Sequence, residues 1–143
     1  ARDAGQTGTG TLRFCTSLTR DMCYGAANDM VTLSFLAAVG ANWSPTSGNF
    51  TATVYTGTGS TDISGINGAF SGNAAVISQA YPITAGDGLV PFVITSSALG
   101  ASVTQLAVEF SWAPTGTAGA ADNILFKDIQ LQINLTVSEK DRE

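Results

Sequence analysis

Val103-Thr104-Gln105-Leu106-Ala107-Val108-Glu109-Phe110-Ser111-Trp112-Ala113 alternates large apolar side chains with small or polar ones. Leu106, Val108, Phe110 and Trp112 fall on one parity, and Ala107, Glu109 and Ser111 on the other. Successive side chains of a strand point to opposite faces, so this stretch predicts a β-strand with one buried and one wet face. Glu109 is expected on the wet face. Residues 129–137 repeat the pattern, with Ile129, Leu131, Ile133, Leu135 and Val137 on one side and Gln130, Gln132, Asn134 and Thr136 on the other.

Weaker runs extend the scheme in both directions. Residues 30–39 carry Val31, Leu33, Phe35 and Ala37 in register, and 50–56 carry Phe50, Ala52 and Val54. Residues 12–18, 74–83 and 89–95 complete the set, with Pro82 and Pro91 favouring edge or end positions. Between them, 40–48, 56–72, 84–88 and 114–123 are rich in turn residues. Seven or eight short strands at this spacing predict an all-β chain, a two-sheet β-sandwich with antiparallel pairing. Residues 1–143 read as one domain with no internal linker. Its polar arms, 1–10 and 138–143, have nothing to bury. They are expected to be ordered only in an assembly, and deletion of 1–10 is expected to leave the melting temperature of the free domain nearly unchanged but to weaken attachment to that assembly.

Charged residues make up 12% of the chain, and the net charge is −5. The basic residues are dispersed, so no stripe exists to neutralise phosphates, and nucleic acid is not an expected partner. The longest strongly apolar stretch, 30–41, falls well below the ~20 residues of a membrane helix, and no membrane partner is expected. Cys15 and Cys23 would face each other if the chain turned near Thr19, making a disulfide sterically possible; two free thiols are the favoured reading. Two cysteines and no histidine do not make a zinc site.

The lack of histidine also removes the commonest general base. Serine has no activating partner and no G-x-S-x-G turn. The Gly/Thr stretches 7–11 and 56–59 read as turns, since no lysine or helix follows. A hydrolytic carboxylate pair would have to come from Asp62, Asp87, Glu109, Asp122 and Asp128, scattered over different elements. The expectation is a protein that is not an enzyme, with no cofactor other than a candidate calcium ion. Asp122, Asn123 and Asp128 flank the expected last strand and offer oxygen ligands, with a plain polar turn the favoured competing reading. Trp43 and Tyr55, joined by Phe70 and Tyr81, are the candidate carbohydrate platform, against the favoured reading that each anchors a loop on the core. N-x-S/T sequons at Asn42, Asn49 and Asn134 would matter only in a secreted eukaryotic protein.

Several segments carry a family resemblance: Val31-Thr32-Leu33-Ser34-Phe35 followed by Gly40-Ala41-Asn42-Trp43-Ser44, then Val54-Tyr55-Thr56-Gly57-Thr58-Gly59. Gln105–Trp112, Pro114-Thr115-Gly116-Thr117-Ala118-Gly119-Ala120-Ala121-Asp122 and Ile129-Gln130-Leu131 continue it. Together these resemble the carbohydrate-binding-module-like jelly-roll domain of tailed-bacteriophage structural proteins, over roughly residues 30–132. Where that family reads V-Q-L-E, this chain has Ile129-Gln130-Leu131-Gln132 and continues to a charged tail. The resemblance implies a virion protein on the outer surface of the particle. A nearly free-standing copy points to a capsid cement or decoration protein. Its partners would be the major capsid protein and copies of itself, with a trimer among the candidate orders. The alternative is a glycan-binding module of a tail fibre or host-attachment protein.

Overall fold

The computed structural model describes residues 1–134, and Leu135, Val137 and the tail 138–143 lie outside the described residues. Among those described, the strands are β1 (Leu12–Ser17), β2 (Met30–Val39), β3 (Asn49–Gly57), β4 (Ala74–Pro82), β5 (Val90–Thr95), β6 (Gln105–Trp112) and β7 (Ile124–Asn134). They form two antiparallel sheets, a four-stranded one in the order β1-β6-β3-β4 and a three-stranded one in the order β5-β2-β7. The chain is a β-sandwich, as its alternating patterns require.

The alternation works by placing one parity of each strand in the shared core. Leu106, Val108 and Phe110 of β6 face Val31, Leu33 and Phe35 of β2, and all six are at most 3% exposed. Phe35 is the hub: its ring lies 4.8 Å from Phe110, 5.2 Å from Phe92 and 6.0 Å from both Phe50 and Tyr81, mostly edge to face. Tyr81 is therefore a core contact rather than part of a surface platform.

The last strand begins earlier than its sequence pattern predicts. Ile124 and Phe126 pack against the core on even numbers, and Ile129, Leu131 and Ile133 on odd ones. A register shift between Ser34 and Leu36 of the partner strand accommodates the change, and Asp128 sits there at φ 52°. An extra residue at a bulge inverts the parity, which breaks the alternation a reader of sequence relies on. Asp128 thus lies inside β7, not beside it.

Two connections decide where chemistry could occur. One end of the sandwich carries the loops 18–29, 58–73 and 96–104; the other carries residues 1–11 and the loops 40–48, 83–89 and 113–123. The 58–73 loop does not stand away from the sandwich. It folds back across the outer face of the four-stranded sheet, where Gly65 N–H donates to Ser17 Oγ at 2.7 Å and Gly59 N–H to Gln105 Oε1 at 2.8 Å. Phe70 is buried beneath it. Gly65 lies so close to Ala107 and Phe70 that even one Cβ would fall 2.5 Å from each, so only glycine allows this approach.

Candidate functional site

The roof formed by the 58–73 loop corrects the expected position of Glu109. Its side chain points away from the core as its parity demands, yet it is only 2% exposed. Oε2 accepts a hydrogen bond from Asn67 N–H at 2.6 Å, and Oε1 lies 3.7 Å from Arg13 Nη1 on β1. Asn67 is held at φ 54° to aim that N–H. A carboxylate takes this much burial only with such partners. Cys15, opposite Glu109 on β1, is affected by the same environment: burial and then the nearby Glu109 charge raise its thiol pKa. Tyr55, on the same outer face, is raised by burial first and Glu109 second, with Arg13 opposing.

A second buried acid sits at the opposite end. Asp122 is 1% exposed, and its Oδ2 accepts from Arg2 Nη1 at 2.9 Å and from Ser44 O–H at 2.9 Å. The Arg2 guanidinium also donates to the carbonyls of Gln6, Gly8, Thr115 and Gly116, at 2.7–3.3 Å. Backbone bonds extend the contact: Arg2 N–H to Asp122 C=O, Gly5 N–H to Ala118 C=O, and Ala118 N–H to Gln6 C=O. Residues 1–10 therefore have hydrogen-bond partners on their own domain. A buried, multiply bonded ion pair supplies what their missing apolar side chains cannot.

The calcium candidates are not brought together. Asp122 is engaged by Arg2, and Asn123 contributes its backbone carbonyl to Gly40 N–H at 3.0 Å. Asp128 lines a shallow depression on the outer face of the three-stranded sheet, beside Ser34, Pro91, Val93 and Gln130. Among the described residues no three His, Cys, Asp or Glu side chains cluster as a metal site would require. The other carboxylates also serve local structure: Asp62 accepts from Arg20 N–H at 2.8 Å and Asp87 from Thr84 N–H at 2.9 Å.

The candidate sugar platform is likewise divided. Trp43 packs against Trp112, ring centroids 5.4 Å apart and tilted by 52°, with its Nε1 buried, which makes it an anchor of its loop. Tyr55 pairs with Ala107, five positions along β6 from Trp112, a separation of about 17 Å at strand rise. Phe70 lies under the roof. Cys15 and Cys23 are both free thiols. Cys15 occupies the outer sheet face and Cys23 a buried 3-10 turn, Arg20–Cys23, where burial, then the Asp62 charge, raises its pKa against a lowering backbone hydrogen bond.

Large apolar side chains are exposed in several places, Val93, Leu125, Phe14 and Leu89 among them. At the end bearing loops 18–29 and 58–73, Tyr24 is 92% exposed, Met22 62%, Ile63 44%, Ile66 42% and Met30, which opens β2, 40%. No sequence signal singled these out, because isolated apolar residues in loops have no periodicity to reveal their facing. No protein-family model and no curated protein matches the chain.

Proposed function

We propose that this chain is a structural protein of a bacteriophage particle, acting as a capsid cement or decoration protein that binds several capsid subunits and copies of itself. The observation that carries the reading is the set of large apolar side chains, Met22, Tyr24, Met30, Ile63 and Ile66, exposed on residues 18–30 and on the 58–73 loop. Exposed Tyr and Met are residues that interfaces concentrate, and a cement acts through contact area. The buried acids support the same direction, since Glu109 and Asp122 are committed to holding the chain's own loops. Every connection except β3–β4 crosses from one sheet to the other, which supports the finer jelly-roll reading of the sandwich.

The test is binding to purified, undecorated particles. The wild-type chain should saturate them at many copies each and raise their melting temperature by mass action. Tyr24→Ser combined with Met22→Ser should keep the domain's own melting temperature and reduce particle binding about tenfold or more, as loss of an aromatic anchor does. Binding at only a few copies per particle, or undiminished binding by the double variant, overturns the reading. The glycan-binding alternative retains Tyr55 but not an open Trp43 platform; retention on a glycan array would favour it.

A further inference from the structure

Among residues 1–11, Arg2 alone is buried, and every residue from Asp3 to Thr11 is exposed. The Arg2 guanidinium, with the backbone bonds of Arg2 to Asp122 and of Gly5 and Gln6 to Ala118, plugs the segment into the body of the protein. Its receptor is a cage of oxygens: Asp122 Oδ2 and the carbonyls of Thr115 and Gly116 from the body, with the carbonyls of Gln6 and Gly8 wrapped around from the segment itself. Ser44 O–H holds the carboxylate in place, and Asp122 Oδ1 is buried with no hydrogen-bond partner among the described residues. The cage is chemically suited to a planar, multiply donating cation on an extended chain.

The tether between this plug and the sandwich is Thr9-Gly10-Thr11, and neither Gly10 nor Gly8 before it has an atom within 4 Å of a notional Cβ. We propose that the cage around Asp122 is an exchangeable arginine receptor, which accepts the 1–8 segment either from its own chain or from a second copy. Each copy then contributes Arg2 to a site that is incomplete without it. The bonds made within a chain and between chains are the same, so exchange depends on tether reach and protein concentration, the ordinary condition for swapping an identical element. This inference does not rest on the virion reading.

Complementation between two defective full-length chains tests it. Arg2→Ala retains the body's side of the cage but has no guanidinium, and Asp122→Ala retains the arginine but has lost the carboxylate. Neither can close the ion pair alone. Mixed in equal amounts, they should form a heterodimer by native mass measurement that neither forms separately, with a melting temperature above that of both. A mixture that behaves as the sum of its parts overturns the proposal. Should Asp122→Ala fail to fold, the Arg2→Ala chain is titrated with a synthetic peptide of residues 1–8. The arginine peptide should bind about tenfold or more tightly than its alanine counterpart, as loss of charge-assisted hydrogen bonds implies. Equal binding of the two peptides overturns the proposal as well.

Discussion

At the scale of single residues, Arg2 has the largest expected effect. Its side chain is 2% exposed and that of Asp122 is fully buried. Removing one partner of a buried pair leaves the other charge uncompensated, at a cost of about 3–5 kcal/mol. Arg2→Ala should thus lower stability in urea unfolding by that amount. An unchanged midpoint would return residues 1–10 to the status of a loose arm. A second expectation concerns alkaline pH. Cys15, Cys23, Tyr55 and Tyr81 all have pKa values raised mainly by burial. Acids with raised folded pKa values keep their protons longer when folded, so the unfolded chain ionises first as pH rises. Their contribution is fully present below the ordinary thiol value of 9.0 and is lost as pH climbs through the raised folded values. Melting temperature should be level from about pH 7 to 8.5 and fall above that, with a weaker fall in Cys15→Ser. A level profile to pH 11 would refute the assignment.

At the scale of elements, the bulge in β7 and the roof over β6 are where local rules give way to packing. Asp128 holds a left-handed conformation at φ 52°, which costs a β-branched residue about 1–2 kcal/mol. Asp128→Val should destabilise by that amount and Asp128→Gly should be close to neutral in thermal unfolding. Equal effects would mean that the bulge relaxes. The roof shows the converse case. The 56–72 stretch reads correctly as turn-rich, but turn chemistry does not say which surface a loop covers. That Gly65 and Asn67 contact β1 and β6 depends on the sheet order β1-β6-β3, which assembles partners from distant parts of the chain.

At the scale of the whole molecule, both sheets converge on Phe35, whose ring meets residues of β3, β4, β5, β6 and β7. Phe35→Ala should cost about 3–5 kcal/mol and loosen both sheets together, since the cavity lies at their shared centre. Coincident loss of near-ultraviolet and far-ultraviolet circular dichroism would establish that coupling, and separate transitions for the two sheets would exclude it. The exposed apolar side chains stand in contrast, because 40–92% of each is open to solvent. Substitution there should act on association and leave the domain intact.

The positions of the strands, the start of β7 apart, and the two-sheet class were determined by the sequence itself, because alternation is a property of neighbouring residues and survives in any environment with a wet and a dry side. The same holds for the inward parity of β2, β3 and β6. The state of the acids was decided only by tertiary structure. Glu109 looked exposed because its parity is outward, and a loop reached from 42 residues away covers it. Asp122 looked like a turn residue or a metal ligand, and its partner lies 120 residues earlier in the chain. Local periodicity carries no information about contacts at such separations; they exist because the folded sheets set the 58–73 loop over β6 and residues 1–11 beside the 113–123 loop, where burial makes each charge require a partner.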